Sequence, residues 1–365
     1  MNEFAPHKEI KDTKIVVAMS GGVDSSTVAV MLHKLGYEVV GITLQLYDLG
    51  VTLEKKGACC AGQDIYDAKM IADKFSFPHY VLNYETIFKN EVIEDFADSY
   101  IRGETPIPCV KCNQSVKFRD LFKVARDLGA DALVTGHYVR RQNGPGGAEL
   151  LRAIDPLKDQ SYFLFATTKE QLSYVHFPLG GFTKEETRKL ATSYGLEIAD
   201  KPDSQDICFV PNGSYSKIVE KFRPGALDDG DIMHIDGTKL GTHAGIINYT
   251  IGQRRGMGIA SANPLYVVKL VPELNQVIVG PESALFKSSF VARDINWLGH
   301  SEIPKEGFSA TVKLRSAHKG AKAFIVPDGN HLQITLEQPE KAITPGQACV
   351  IYDGDRVLGG GWIKG

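Results

Sequence analysis

Lys14-Ile-Val-Val-Ala-Met-Ser-Gly-Gly-Val-Asp-Ser25 is the stretch on which the fold turns. Its first five residues are a short apolar run rich in β-branched side chains, which reads as a strand buried on both faces. Val28, Met31, Leu32 and Leu35 then recur at helical spacing, and Gly36 supplies the stop. Between strand and helix lies Ser20-Gly-Gly-Val-Asp-Ser25. An open α/β sheet places its ligand at that junction, where unpaired backbone N–H groups of a helix N-terminus face an anion. Gly21 and Gly22 let the backbone approach a phosphate closely, while Ser20 and Ser25 add hydroxyl donors. The Walker lysine and the dinucleotide glycine fingerprint are both absent. A glycine-rich turn capped by Asp24 or Ser25 is the plainer alternative, but the position at the junction favours a nucleotide.

Outward from this unit, Val39-Val-Gly-Ile-Thr43, Tyr80-Val-Leu82 and Ala132-Leu-Val-Thr135 read as further strands. Helical stripes separate them: Ile65, Ala68, Ala72 and Phe75; Phe88, Val92, Phe96 and Tyr100; Leu121, Val124, Ala125 and Leu128. The β-α-β-α alternation predicts an α/β fold with a doubly wound parallel sheet. Past residue 210 glycine and proline become frequent and helical periodicity scarce. Phe308-Ser-Ala-Thr-Val-Lys-Leu314, Leu332-Gln-Ile-Thr-Leu336 and Ala348-Cys-Val-Ile-Tyr352 alternate, with Asp353-Gly354 as a hairpin turn. A C-terminal all-β barrel is expected, with a small mixed domain before it. The expected domains are 1–212, 213–285 and 286–365.

Composition narrows the classes. At ~150 residues per domain, 365 residues suit two or three domains. The 43% hydrophobic and 23% charged content is that of a soluble globular chain. No run reaches the ~18 apolar residues of a membrane span. Met1 to Lys14 is mixed-charge and lacks an apolar core, so no secretory signal is read there, and a cytoplasmic protein without a membrane partner is expected. A net charge of −3 excludes a uniformly basic nucleic-acid binder, though not a local basic face. Six cysteines are too few for a disulfide scaffold, which leaves thiol, metal or catalytic roles.

Cys109-Val-Lys-Cys112 precedes Asn113-Gln-Ser-Val-Lys117-Phe118, and a further cysteine stands in Asp203-Ser-Gln-Asp-Ile-Cys208-Phe. A buried structural thiol is the default for any one cysteine, and Cys59, Cys60 and Cys349 keep that reading. Cys112 leads what reads as a helix, whose N-terminus would lower its pKa and generate thiolate, with Lys111 and Lys117 close in sequence. Cys208 falls among polar and acidic residues, which argues against a core position.

Ser-Gly-Gly-x-Asp-Ser resembles the signature of the N-type ATP pyrophosphatases, with their adenine nucleotide alpha hydrolase-like fold. The same loop is joined, in order, by Cys112-Asn-x-x-x-Lys-Phe118, Thr135-Gly-His-Tyr138, Lys158-Asp-Gln-Ser-Tyr162, Asp206-Ile-Cys-Phe209, Tyr249-Thr-Ile-Gly-Gln-Arg-Arg-Gly256 and Thr344-Pro-Gly-Gln347. Together they resemble the tRNA-specific 2-thiouridylases over essentially the whole chain. The resemblance implies ATP on Ala18, Met19, Ser20, Gly21, Gly22, Val23, Asp24 and Ser25, with Leu44 and Gly136 also at the nucleotide. It implies Mg²⁺ to neutralise the leaving pyrophosphate, with Asp24 near it. The wobble uridine (position 34) of a Lys-, Glu- or Gln-type tRNA would be flipped into the site and adenylated at its C2 oxygen. A persulfide on Cys208, charged by a cysteine desulfurase or sulfur relay protein, would supply the sulfur. Cys112 would attack that persulfide and leave a Cys112–Cys208 disulfide.

The resemblance also nominates RNA contacts. Ile107, Pro108 and Cys109 would approach the target base, and His137, Lys158, Asp159, Gln160, Lys313, Leu314 and Gln347 would touch the tRNA. A turn or helix cap is the lesser alternative for Asp159. Arg140 with Arg141, Arg254 with Arg255, and the 313–322 group (Lys313, Arg315, His318, Lys319, Lys322) are the cationic clusters, for which a solvated face is the plainer reading. Phe118 and Tyr162 read as packing residues. Several well-known members carry Asp where this chain has Cys109. Three thiols at Cys109, Cys112 and Cys208 leave open a [4Fe–4S] cluster of the kind seen in related thiolation enzymes, or zinc with His137 as fourth ligand. A small-molecule ligase of the same superfamily is a rival, but it would leave the cysteine pair without a task. An RNA-binding or iron–sulfur protein that no longer catalyses is another, against which the intact Ser20–Ser25 loop argues.

Overall fold

Ile15, Val16 and Val17 are fully buried, as a strand covered by helices on both faces requires. In the computed structural model, which describes residues 2–47, 60–203, 207–210 and 215–365, the chain divides into two compact units. The first comprises residues 1–91, 109–209 and 355–357. It begins with β1 (Lys14–Ala18), α1 (Val23–Lys34), β2 (Glu38–Gln45), α2 (Cys60–Phe75) and β3 (His79–Asn83). Then come α3 (Asp120–Asp127), β4 (Ala132–Thr135), a β5–β6 hairpin (Val139–Gly144 and Gly147–Arg152), α4 (Lys169–Tyr174), β7 (Val175–His176) and α5 (Lys184–Ser193). The sheet order is β3-β2-β1-β4-β7, with every neighbour pair parallel. The doubly wound parallel sheet is therefore present. Val28, Ala29, Val30 and Leu32 of α1 pack with Ile15, Val17, Val39 and Val134 in one core.

The second unit comprises residues 92–108, 210–354 and 358–365. Its helices are α6 (Glu94–Ile101) and α7 (Tyr215–Phe222), which pack on each other. Tyr100 stacks on Tyr215 with ring centroids 5.2 Å apart, and Arg223 Nη2 donates to Asp98 Oδ2 at 2.9 Å. A four-stranded sheet follows from β8 (Asp229–His234), β9 (Lys239–Ala244), β10 (Tyr266–Val271) and β11 (Gln276–Gly280), in the order β10-β11-β8-β9. It is the expected small mixed region. The remaining strands are β12 (Phe286–Trp297), β13 (Phe308–Lys313), β14 (Ala321–Asp328), β15 (His331–Lys341), β16 (Ala348–Asp353) and β17 (Arg356–Ile363). They run β12-β15-β14-β13-β16-β17 and close on themselves where Ala292 pairs with Ile363 and Trp297 with Gly359. Closure removes the free strand edges that an open sheet of this size would expose. Val312, Ile325, Ile334, Cys349 and Ile351 fill the interior, so Cys349 is the structural thiol it reads as in the sequence.

Two differences from the sequence reading have simple causes. The β5–β6 hairpin escapes a search for alternation because Val139-Arg-Arg-Gln-Asn-Gly144 is mostly polar; its signal is the turn, where Gly144 pairs with Gly147. The stripe from Phe88 to Tyr100 is not one α-helix, since a π-helical turn at Lys89–Ile93 interrupts it. The chain passes from the first unit to the second within that turn. No helix among the described residues is long and apolar enough to cross a membrane.

Candidate active site

The parallel sheet sets the site. Strand order reverses between β1 and β4, and ligands of open α/β sheets lie at such a switch, beyond the carboxyl ends of the strands. Ser20–Ser25 leaves the end of β1 at that point. Gly21 adopts φ +73°, and a Cβ there would stand 2.1 Å from the Asp64 carbonyl oxygen of α2, so only glycine fits. Gly22 caps α1 without any side-chain bond to the helix, leaving first-turn N–H groups for a ligand. Ser25 Oγ accepts the Ser20 N–H at 3.0 Å and fixes the loop's curvature. Leu44 near the end of β2 and Gly136 just past β4 flank the loop from the two strands that neighbour β1. A Cβ on Gly136 would lie 2.7 Å from the Ser25 nitrogen, so this glycine permits the close approach of β4's exit to α1.

Asp24 is the loop's charged residue, and sequence reading missed its partners. Lys184 Nζ donates to both carboxylate oxygens, at 2.7 and 2.8 Å. The Tyr138 hydroxyl donates to Oδ1 at 2.8 Å. Burial, with the Asp24 charge adding to it, keeps that phenol protonated. Lys184 also pairs with Asp203 at 2.7 Å, and Asp203 is held as well by Lys158 at 2.8 Å and Arg188 at 3.3 Å. Burial alone would raise the Asp203 pKa, but Lys158 and Lys184 hold it below the usual carboxylate range. Behind the loop, Lys201 Nζ donates to the Gly21 carbonyl at 3.0 Å and to Asp64 and Asp67 at 2.7 and 2.6 Å. Tyr138 lies in a stretch that the sequence marks. Lys184 and Lys201 stand far from the loop in sequence, and only the fold brings them to it.

Cys109, Cys112 and Cys208 all lie in this unit. Cys109 lies in the helical turn Pro108–Lys111, and Cys112 opens the π-helical turn Cys112–Lys117 that continues it. Cys112 therefore does not stand at a free helix N-terminus, and the expected lowering of its pKa is not found. Burial pushes the Cys112 thiol up, with Lys117 opposing and the neighbouring Cys109 adding to it. Cys109 is raised for the same leading reason. The Cys208 thiol is pushed up to about 12, by burial first and then by Cys112 and Cys109; Lys117 and a hydrogen bond from Tyr47 act the other way. The Cys109 charge thus disfavours ionisation of Cys112, and both disfavour ionisation of Cys208. Cys109 and Cys208 are nonetheless exposed. Phe209, almost fully buried and edge-on to Phe88, anchors the Cys208 backbone.

His137 links the two halves of the site. It follows Gly136, its Nδ1 lies 2.9 Å from Thr135 Oγ1, and its ring packs on Phe118 at the end of the Cys112–Lys117 turn. Burial, then Lys117, pushes its pKa down to about 3, so it is neutral at pH 7. Among the described residues no group of three His, Cys, Asp or Glu is arranged to hold a metal ion. As placed, the three thiols, with or without His137, do not fit a [4Fe–4S] cluster or zinc. Cys59 lies outside the described residues, as does Asp206, and the structure describes nothing of the Cys60 side chain.

Comparison with known proteins agrees with this geometry. Residues 13–212 match the family model described as tRNA methyl transferase HUP domain, 216–281 the tRNA methyl transferase PRC-barrel domain, and 287–363 the aminomethyltransferase beta-barrel domain. The tRNA-specific 2-thiouridylase MnmA of Rickettsia massiliae is 62% identical over 354 residues, covering 97% of both chains. Its counterpart from Rickettsia bellii is 62% identical over 97% of this chain and 96% of its own. The chain belongs to the tRNA-specific 2-thiouridylase family. Among solved structures, a 4-thiouridine synthetase–RNA complex with bound ATP aligns at 20% identity over 58% of this chain and 51% of its own, with a TM-score of 0.36. That likeness is too slight to carry an argument.

Within this 2-thiouridylase fold, several residues nominated for RNA already have partners inside their own unit. Lys158 is on Asp203. Asp159 accepts the N–H groups of Ala153 and Ser161 and the Ser161 hydroxyl, which is the turn role. Gln160 Oε1 accepts the Tyr138 N–H at 2.8 Å. Arg140 pairs with Asp355, and Arg141 donates to the Leu172 and Ser173 carbonyls. In the second unit, Leu314 is buried in the barrel core and has no side-chain surface for RNA. His318 is buried too, accepting the Leu314 N–H and lying 3.4 Å from Glu340. Gln347 donates to the Thr105 carbonyl at 2.9 Å and steadies the segment that carries Ile107 and Pro108. Phe118 and Tyr162 are buried packing residues.

Proposed function

We propose that the chain catalyses ATP-dependent 2-thiolation of the wobble uridine of tRNA. The observation that carries this is that Cys112 and Cys208, 96 positions apart in sequence, lie in the unit that also holds the Ser20–Ser25 loop, with the charge of Cys112 bearing on Cys208. ATP lies on Ala18–Ser25 with Leu44 and Gly136. The C2 oxygen of a flipped uridine attacks the α-phosphorus, and the bond to the bridging oxygen breaks with its electron pair leaving on pyrophosphate. The terminal sulfur of a Cys208 persulfide then bonds to C2. The Cys112 thiolate attacks the Cys208 sulfur, the S–S bond gives its electron pair to the departing sulfur, and AMP leaves with the former C2 oxygen. A Cys112–Cys208 disulfide remains, which an external thiol reductant reopens. The name of the family models speaks of methyl transfer, but such a reaction has no use for a phosphate loop or two such thiols.

The finer assignments belong to the same proposal. Ile107, Pro108 and Cys109 face the target base, and Lys313 with the exposed cations around it meets RNA phosphates. His137 and Lys158 border the uridine, while Asp159 and Gln160 shape their loop. Chain segments 1–212, 213–285 and 286–365 divide the work, in line with the family matches. Mg²⁺ arrives on the ATP phosphates, because both Asp24 oxygens are already engaged by Lys184 and Tyr138. A cysteine desulfurase or relay protein delivers the sulfur, in the cytoplasm where tRNA resides. The test is nucleoside analysis of tRNA incubated with the protein, ATP and a persulfide donor, with AMP release followed in parallel. The wild type is expected to form 2-thiouridine and to release AMP only with tRNA. Cys112→Ala and Cys208→Ala are each expected to form none while keeping the fold. Normal product from either variant rejects the sulfur route.

A further inference from the structure

The phosphate loop lacks the lysine that other phosphate loops carry within their own motif, yet a lysine reaches it from elsewhere. Lys184 is the first residue of α5, 160 positions from Asp24, and its side chain is only 11% exposed. A cation at the start of a helix opposes the helix dipole. A buried ion pair, moreover, is weak evidence for stability, since apolar residues of similar volume often serve as well. The position therefore calls for a use beyond holding the fold. The partners suggest which. All three ammonium hydrogens have acceptors: the two Asp24 oxygens and Asp203 Oδ1. Asp203, however, is served by three cations. If Lys184 leaves it, Lys158 and Arg188 remain, so no buried carboxylate is left unpaired. Lys184 can exchange one carboxylate for another anion at small cost while staying on Asp24.

We infer that Lys184 is the loop's phosphate cation: it trades Asp203 for an oxygen of the β,γ end of ATP and takes up the charge of the departing pyrophosphate. The inference rests on the reading that Ser20–Ser25 binds ATP. When the uridine oxygen bonds to the α-phosphorus, the electron pair of the broken α–β bridge collects on pyrophosphate, and a nearby ammonium stabilises that state more than the bound ATP. AMP lacks those phosphates, so its binding gains nothing from Lys184.

Equilibrium binding of ATP, AMP and pyrophosphate to the full chain, with Mg²⁺ present, separates the possibilities. Lys184→Gln is expected to weaken ATP and pyrophosphate at least tenfold and to leave AMP within twofold. Lys184→Arg should recover part of the loss, and Lys184→Met, which can pack in the same space, should behave as Lys184→Gln. AMP affinity in each variant reports whether the loop is still formed. Equal losses for AMP and pyrophosphate, or no loss for either, overturn the assignment and leave Lys184 a structural residue. A wild-type protein that binds neither ATP nor AMP overturns the loop reading itself, and this inference with it.

Discussion

Among the described residues, Lys117 is the one cation whose charge reaches Cys109, Cys112, Cys208 and His137 alike. It opposes the burial that keeps the three thiols protonated. With its pKa near 12, Cys208 carries little thiolate at neutral pH, and the fraction rises about tenfold per pH unit until that value is neared. The alkylation rate of Cys208 is therefore expected to climb steadily from pH 7 to 10 without levelling near 9, where an ordinary thiol would saturate. Lys117→Met should slow it several-fold at each pH, with far-ultraviolet circular dichroism unchanged. A plateau below pH 9, or an unaltered rate in the variant, would count against this account. The residue scale also shows what the sequence could reveal. Ser20–Ser25 is contiguous, so its chemistry can be read directly. The Asp24–Lys184 and Asp24–Tyr138 contacts span 160 and 114 positions, and no local pattern announces them. The raised thiol pKa of Cys112 was hidden as well, because sequence spacing does not show the turn at Pro108–Lys111 that precedes it.

At the scale of elements, the site depends on how closely the exit of β4 meets the start of α1. Gly136 sets that distance. Its added methyl would stand 2.7 Å from the Ser25 nitrogen and 3.0 Å from the Asp24 carbonyl carbon, both backbone atoms that a rotamer change cannot move aside. Gly136→Ala is thus expected to displace the first turn of α1, costing roughly 1–3 kcal/mol of stability as overpacking does and weakening ATP at least tenfold. Gly181→Ala is the control, since nothing lies within 4 Å of its added methyl. Calorimetry and nucleotide titration of the two variants check this; an ATP affinity in Gly136→Ala within twofold of wild type would remove Gly136 from the site. Strands of this sheet were legible because burial on both faces demands continuous apolar runs such as Ile15-Val-Val17. The β5–β6 hairpin was not, because its outer half is polar and only its turn glycines mark it.

For the whole molecule, the chain order of the units matters more than their number. Residues 92–108 leave the first unit, belong to the second, and return to the first at Cys109. Helix α6 within that excursion buries Phe96, Ala97 and Tyr100. Its partners lie far downstream: Tyr215 stacks on Tyr100, Arg223 bonds Asp98, Arg293 Nη2 donates to Glu104 at 3.0 Å, and the Thr105 N–H donates to the Pro345 carbonyl at 2.8 Å. A fragment of residues 1–212, the natural cut from sequence alone, keeps α6 but discards all of these. Phe96 and Tyr100 would each forfeit about 2 kcal/mol of burial where they become exposed, Asp98 would lose Arg223, and Glu104 would lose Arg293 while keeping Arg102. The fragment is expected to bind a hydrophobic dye that the full chain does not, and to be cleaved by protease first within 92–108. The parallel sheet, whose strands all lie in the retained part, should persist as measured by circular dichroism. A fragment that is monomeric, silent to the dye and uncut in 92–108 would show that the excursion is stable without the second unit, and that the sequence boundary near 212 is a folding boundary after all.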